Sequence, residues 1–152
     1  MNVKKILVPV DGSETSKNAA AQAVQLARKC GSEITFLIVV ELKSDIAFTH
    51  TSGTIIKDEY YSVVSTMIDL KTKRDTKTLD ELVESLDCSD LKTEKTLLVG
   101  DASHQIVETA EQGKFDMIIM GHRGMNPIKR FFLGSVAKKV IEDAPCSVLV
   151  IK

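Results

Sequence analysis

The chain has 152 residues, 43% of them hydrophobic and 27% charged, and its 20 basic and 21 acidic side chains leave a net charge of -1. That is the composition of an ordinary globular protein, and the length suits one domain, residues 1–152, burying about 70% of the surface that its unfolded chain exposes. Balanced charge argues against a nucleic-acid partner, which calls for a clear basic excess, and three cysteines without short spacing, Cys30, Cys88 and Cys146, suggest neither a disulfide framework nor a zinc site.

The first element is the apolar run Ile6 to Val10. The apolar stretch before Asp11 is too short for a secretory signal, and no run approaches the roughly 18 apolar residues of a membrane span. The expected location is therefore the cytoplasm, with no membrane partner. From Ser13 to Cys30, the positions Ala19, Ala20, Ala23, Val24 and Ala27 recur at steps of three and four, so a helix is expected, with Ser13 as its N-cap and Gly31 at its stop. Ile34 to Val40 is the second strand. Residues 43 to 57 lack periodicity and predict a long loop, followed by a helix of roughly 58 to 86.

Thr96 to Val99 is a shorter third strand, and residues 103 to 112 predict a helix capped by Ser103 and ended by Gly113. Met117 to Met120 is the fourth strand. Ser135 to Asp143 predicts a final helix, with Val136 and Val140, and Ala137 and Ile141 beside them, turned inward; Val148 to Ile151 closes the series as the fifth strand. Short runs that are apolar on both faces suit parallel strands covered by helices on each side. The alternation predicts an α/β fold: a three-layer, doubly wound, five-stranded parallel sheet of order 3-2-1-4-5.

In such sheets ligands bind outside the carboxyl ends of the strands, where the strand order reverses. Here that crevice falls between Pro9, Val10 and Asp11 on one side and Met120 and Gly121 on the other. Gly121, Gly124 and Gly134 with Ser135 form a loop that leads from a strand into a helix N-terminus. Glycines there let backbone N–H groups approach phosphate oxygens, and Ser135 adds a hydroxyl as the helix cap. The spacing matches neither GxxxxGK[ST] nor GxGxxG, and taken alone it suits a structural turn as well as a phosphate cradle. Asp11 has two compatible roles, turn formation before a helix and a hydrogen bond to a ribose or base edge. His122 and Arg123 are expected at the surface, and His50 and His104 form no metal pair.

Taken together, VPVDGS, the GDAS stretch at 100 to 103, Gly121-x2-Gly124-x9-Gly134-Ser135 and the closing PCSVLVIK resemble the universal stress protein family. The glycine spacing resembles that family's ATP-binding branch. The resemblance implies that Pro9, Val10 and Asp11 line the adenosine side of a pocket, that Val39 touches adenine, and that Met120 and Gly121 sit at base and ribose. Gly124, Gly134, Ser135 and Val136 would hold phosphates.

The resemblance further implies ATP as ligand, with Mg or Mn carried on its phosphates, and a homodimer paired through the strand at 147–151. An unidentified regulatory protein partner would read the switch. No nucleophile elbow, Cys-His pair or HExxH is present, and no water-positioning group is evident near the phosphate loop. Binding is therefore expected rather than catalysis, with slow ATP hydrolysis at most. The alternative is a dimeric interaction scaffold that binds no nucleotide.

Overall fold

The computed structural model describes residues 3–41, 57–125 and 133–152. Nine elements follow in chain order: β1 (Lys5–Val10), α1 (Glu14–Cys30), β2 (Glu33–Val40), α2 (Lys57–Ser85), β3 (Thr93–Val99), α3 (Ala102–Gln112), β4 (Met117–Gly121), α4 (Ser135–Asp143) and β5 (Ser147–Ile151). The strands form one parallel sheet of order β3-β2-β1-β4-β5, as the alternation predicts. The expected loop before α2 lies, apart from Lys57, outside the described residues.

The apolar runs become central strands because both of their faces are covered. Ile6, Val8 and Val10 of β1 and Ile34, Phe36 and Ile38 of β2 pack under α1 and the C-terminal half of α2, where Leu79 and Leu82 are buried. Leu7, Leu37, Ile118 and Met120 face the opposite layer, against Ile106 and Ala110 of α3 and Ala137 and Val140 of α4. On α1 the inward positions are mostly alanine, which lets the helix backbone lie close to the sheet. Complete burial of side chains the size of Phe36 or Ile118 contributes about 1.5–3 kcal/mol each.

Edges depart from the expectation of full cover. The third strand begins three residues earlier than its apolar run, and as an edge strand it is only half-buried, with Val99 exposed. On the other edge Leu149 of β5 is exposed. Ile141, expected inward on α4, is also exposed, because the short helix presents only a narrow stripe through Ala137 and Val140.

Helix ends follow local chemistry. Ser13 caps α1 by accepting from the Ser16 N–H, and Gly31 stops it in the left-handed conformation at φ 69°. Ser103 does not cap α3. Asp101 does, accepting from the His104 N–H at 2.9 Å, while the Ser103 hydroxyl donates to the same carboxylate oxygen. Once the chain leaves β3 at Gly100, Asp101 is the residue with extended dihedrals, and its ionised oxygen outcompetes the hydroxyl as acceptor.

Candidate functional site

The strand order reverses at β1, whose neighbours β2 and β4 are reached by connections that run to opposite sides of the sheet. Over the carboxyl ends of these strands opens a cavity of about 980 Å³. Every position expected at the site lies on its wall: Pro9, Val10, Asp11, Val39, Met120, Gly121, Gly124, Gly134, Ser135 and Val136.

Asp11 leaves β1 in an Asx turn, its Oδ1 accepting from the Ser13 N–H (3.0 Å) and the Ser13 hydroxyl (2.6 Å). The turn and the α1 cap thus share Ser13, so both expected roles begin from one fixed carboxylate. A Cβ on Gly124 would stand 2.7 Å from Asp11 Oδ2. Gly124 therefore leaves room for the second oxygen. Gly121 has a different reason for being glycine. A Cβ there would meet backbone, 2.8 Å from the Thr15 carbonyl carbon and 2.9 Å from the Ser16 nitrogen, because β4 ends directly against the first turn of α1. The Thr15 hydroxyl fastens the next stretch by donating to the Arg123 carbonyl at 2.7 Å.

His122 joins three elements through its peptide groups. Its N–H donates to the Ile151 carbonyl (2.8 Å), and its own carbonyl accepts from the Gly134 N–H (2.8 Å). Its Nδ1 lies 3.1 Å from the same Ile151 oxygen. His122 and Arg123 are consequently half-buried rather than at the surface, and Arg123 lines the cavity.

Of the helices that start at this end of the sheet, α1 is capped by Ser13, and α3 and α4 differ. At α3 the chain supplies its own anions: Asp101 caps the helix, and Glu41 Oε1 accepts from the Ala102 N–H at 3.0 Å. The Asp101 carboxyl is held below the usual carboxylate range, first by the Ser103 hydroxyl and then by the His104 N–H. At α4 the N-cap is Gly134, with no side-chain cap, and Ser135 is the first helical residue rather than the cap expected of it. A glycine cap adds nothing to satisfy the first amides, so the donors and positive dipole end of α4 open on the cavity.

Helix α2 supplies wall residues that the strand-end reasoning missed, among them Met67, Leu70, Lys71, Arg74 and Asp75. Periodicity identifies a helix here but not the strand ends it leans over. Glu41 was also missed, although an acidic residue directly after a buried strand is the same signal that marked Asp11. Among the described residues, no three His, Cys, Asp or Glu side chains gather as a metal site. The two cations between Gly124 and Gly134, Lys129 and Arg130, lie outside the described residues.

A family profile described as the universal stress protein family matches residues 2–152. Universal stress protein MJ0531 of Methanocaldococcus jannaschii is 31% identical over 149 residues, covering 98% of this chain and 82% of its own. Universal stress protein UspA from Lactobacillus plantarum superposes with a TM-score of 0.81 at 24% identity, covering 100% of this chain and 99% of its own. The universal stress protein from Archaeoglobus fulgidus, solved in complex with dAMP, gives a TM-score of 0.62 at 24% identity, with both chains fully covered. With the profile spanning nearly every residue and the sheet order agreeing, the chain belongs to the universal stress protein family.

Proposed function

We propose that the cavity is an adenine-nucleotide site, with the phosphates at the start of α4 and the nucleoside toward the ends of β1 and β2. One observation carries the direction of binding. Of the α3 and α4 N-termini at this end of the sheet, α3 is filled by Asp101 and Glu41, whereas α4 begins at an uncapped glycine. An anion is repelled at the first and attracted at the second. The volume of about 980 Å³ is at the upper end of ordinary small-molecule pockets. A family member solved with dAMP supports the choice of adenine.

In this proposal the ligand is ATP, carrying Mg or Mn on its own phosphates, and occupancy switches the surface offered to a regulatory protein. The protein acts in the cytoplasm as a homodimer paired along β5, where exposed Leu149 would be covered. Binding, with at most slow hydrolysis, is the function. Titration of the purified chain with ATP should give a saturable isotherm, and Ser135→Glu, which brings a carboxylate to the α4 start, should weaken it by about tenfold or more. Absence of ATP binding at millimolar concentration, together with no nucleotide in the mass spectrum of the denatured protein, would leave the non-binding scaffold as the answer.

A further inference from the structure

Thr15 reaches from the first turn of α1 into the glycine segment. It is half-buried and is not on the cavity wall, whereas Gly124 is. Its Oγ1 lies 2.9 Å from where a Cβ on Gly121 would stand, and it donates to the Arg123 carbonyl at 2.7 Å. The Ser13 hydroxyl, 3.2 Å away, gives its own proton to Asp11 Oδ1 and already accepts from the Ser16 N–H, so the shorter bond to Arg123 takes the Thr15 proton. Two successive carbonyls of the segment are thus held by different elements. That of His122 accepts from the Gly134 N–H at the start of α4, and that of Arg123 accepts from α1.

The bond from Thr15 matters because of what stands on the other side of the same peptide. No described peptide bond is cis, so the Gly124 N–H points opposite to the Arg123 carbonyl. With that carbonyl drawn to α1, the N–H is turned away from α1. Its nitrogen lies 3.9 Å from where a Cβ on Gly134 would stand, beside the start of α4, and it has no hydrogen-bond partner among the described residues. Gly124 does not adopt a positive φ, but without a Cβ it admits the flipped peptide about as readily. A flipped peptide would present a carbonyl oxygen where the amide now stands, and an anion would be repelled. Sterics leave that choice open, and the Thr15 hydroxyl makes it. We infer that Thr15 is a positioning residue for phosphate binding, which by holding the Arg123 carbonyl keeps the Gly124 N–H as a further donor beside the uncapped start of α4. This rests on the nucleotide reading above.

The test is an amide NMR titration of the full chain with ATP and with adenosine, which carries no phosphate, in the wild type, Thr15→Val and Thr15→Ser. Valine keeps the shape of threonine without the donor, and serine keeps the donor. Thr15→Val should weaken ATP about tenfold, the size expected of one hydrogen bond to a charged group, and leave adenosine within about twofold. Thr15→Ser should hold ATP within about twofold of the wild type. The Gly124 amide resonance should move on ATP addition in the wild type and Thr15→Ser, and stay in place in Thr15→Val. A wild type that binds ATP with the Gly124 amide unmoved overturns the inference without any variant. So does a Thr15→Val protein that binds ATP as the wild type does or weakens ATP and adenosine by the same factor, a change that a purely structural tie would produce. A Thr15→Ser protein that behaves like Thr15→Val rules out the hydroxyl. Failure of the wild type to bind ATP at all would instead remove the nucleotide site itself, and this role with it.

Discussion

Gly121, the last residue of β4, and Gly124 stand three residues apart, yet replacing each by alanine should have opposite consequences. At Gly121 the new methyl group would lie 2.8 Å from the Thr15 carbonyl carbon and 2.9 Å from the Ser16 nitrogen, both backbone atoms in the first turn of α1. Neither can move without shifting the helix or the end of β4. The cost belongs at the upper end of overpacking, about 3 kcal/mol, which for a chain of this size lowers Tm by roughly 6–12 °C. At Gly124 the obstacle is Asp11 Oδ2 at 2.7 Å, the end of a side chain, which can yield by loosening its Oδ1 bonds to Ser13 without moving any backbone. Gly124→Ala should therefore cost under about 1 kcal/mol and move Tm by no more than about 4 °C. It displaces the carboxylate, however, and should weaken ATP binding. Calorimetric melting of both variants, with ATP titration of the second, decides the matter. A Gly121→Ala Tm within about 2 °C of wild type, or a Gly124→Ala protein destabilised as much as Gly121→Ala, would refute this account of the loop.

Asp116 should dominate part of the acid response. Its Oδ2 accepts from the Lys4 N–H (2.8 Å) and the Lys5 N–H (2.9 Å), and these bonds, that of Lys5 foremost, hold the folded carboxyl below its ordinary value. Its contribution is thus fully present above the unfolded value of about 3.9 and is lost as pH falls through the lower folded value. Asp116→Asn should flatten the loss of denaturant midpoint between pH 5 and about pH 2.5; equal slopes for the two proteins would contradict it. Among the cysteines, exposed Cys30 should react first with iodoacetamide, because burial pushes the thiols of Cys88 and Cys146 up and shields them. Peptide mass spectrometry showing Cys88 labelled as fast as Cys30 would contradict the packing of α2 over β2.

The strands, their order and most helix limits were legible because a parallel sheet covered on both sides leaves continuous apolar runs that few other structures produce. Ile6 to Val10 and Met117 to Met120 carried that signal at full strength. Thr93 to Lys95 did not, since an edge strand whose faces are only partly covered tolerates Glu94 and Lys95. Caps were ambiguous where two good capping residues compete, as Asp101 and Ser103 do. The β1 and β4 ends of the cavity were legible from the crevice rule alone, whereas Val39 at the β2 end came only from the family resemblance. The α2 wall was not legible, because the face that Lys71 and Asp75 share becomes specific only when the helix is laid across particular strand ends, and no local pattern encodes that placement.

The hydrogen bond from the Gly134 N–H to the His122 carbonyl ties the two banks of the glycine segment to each other rather than to whatever lies between them. His122 is in turn anchored to β5 through the Ile151 carbonyl, so the knot belongs to the sheet. Gly134 and the start of α4 are thereby placed by the sheet itself, through His122 and the end of β5.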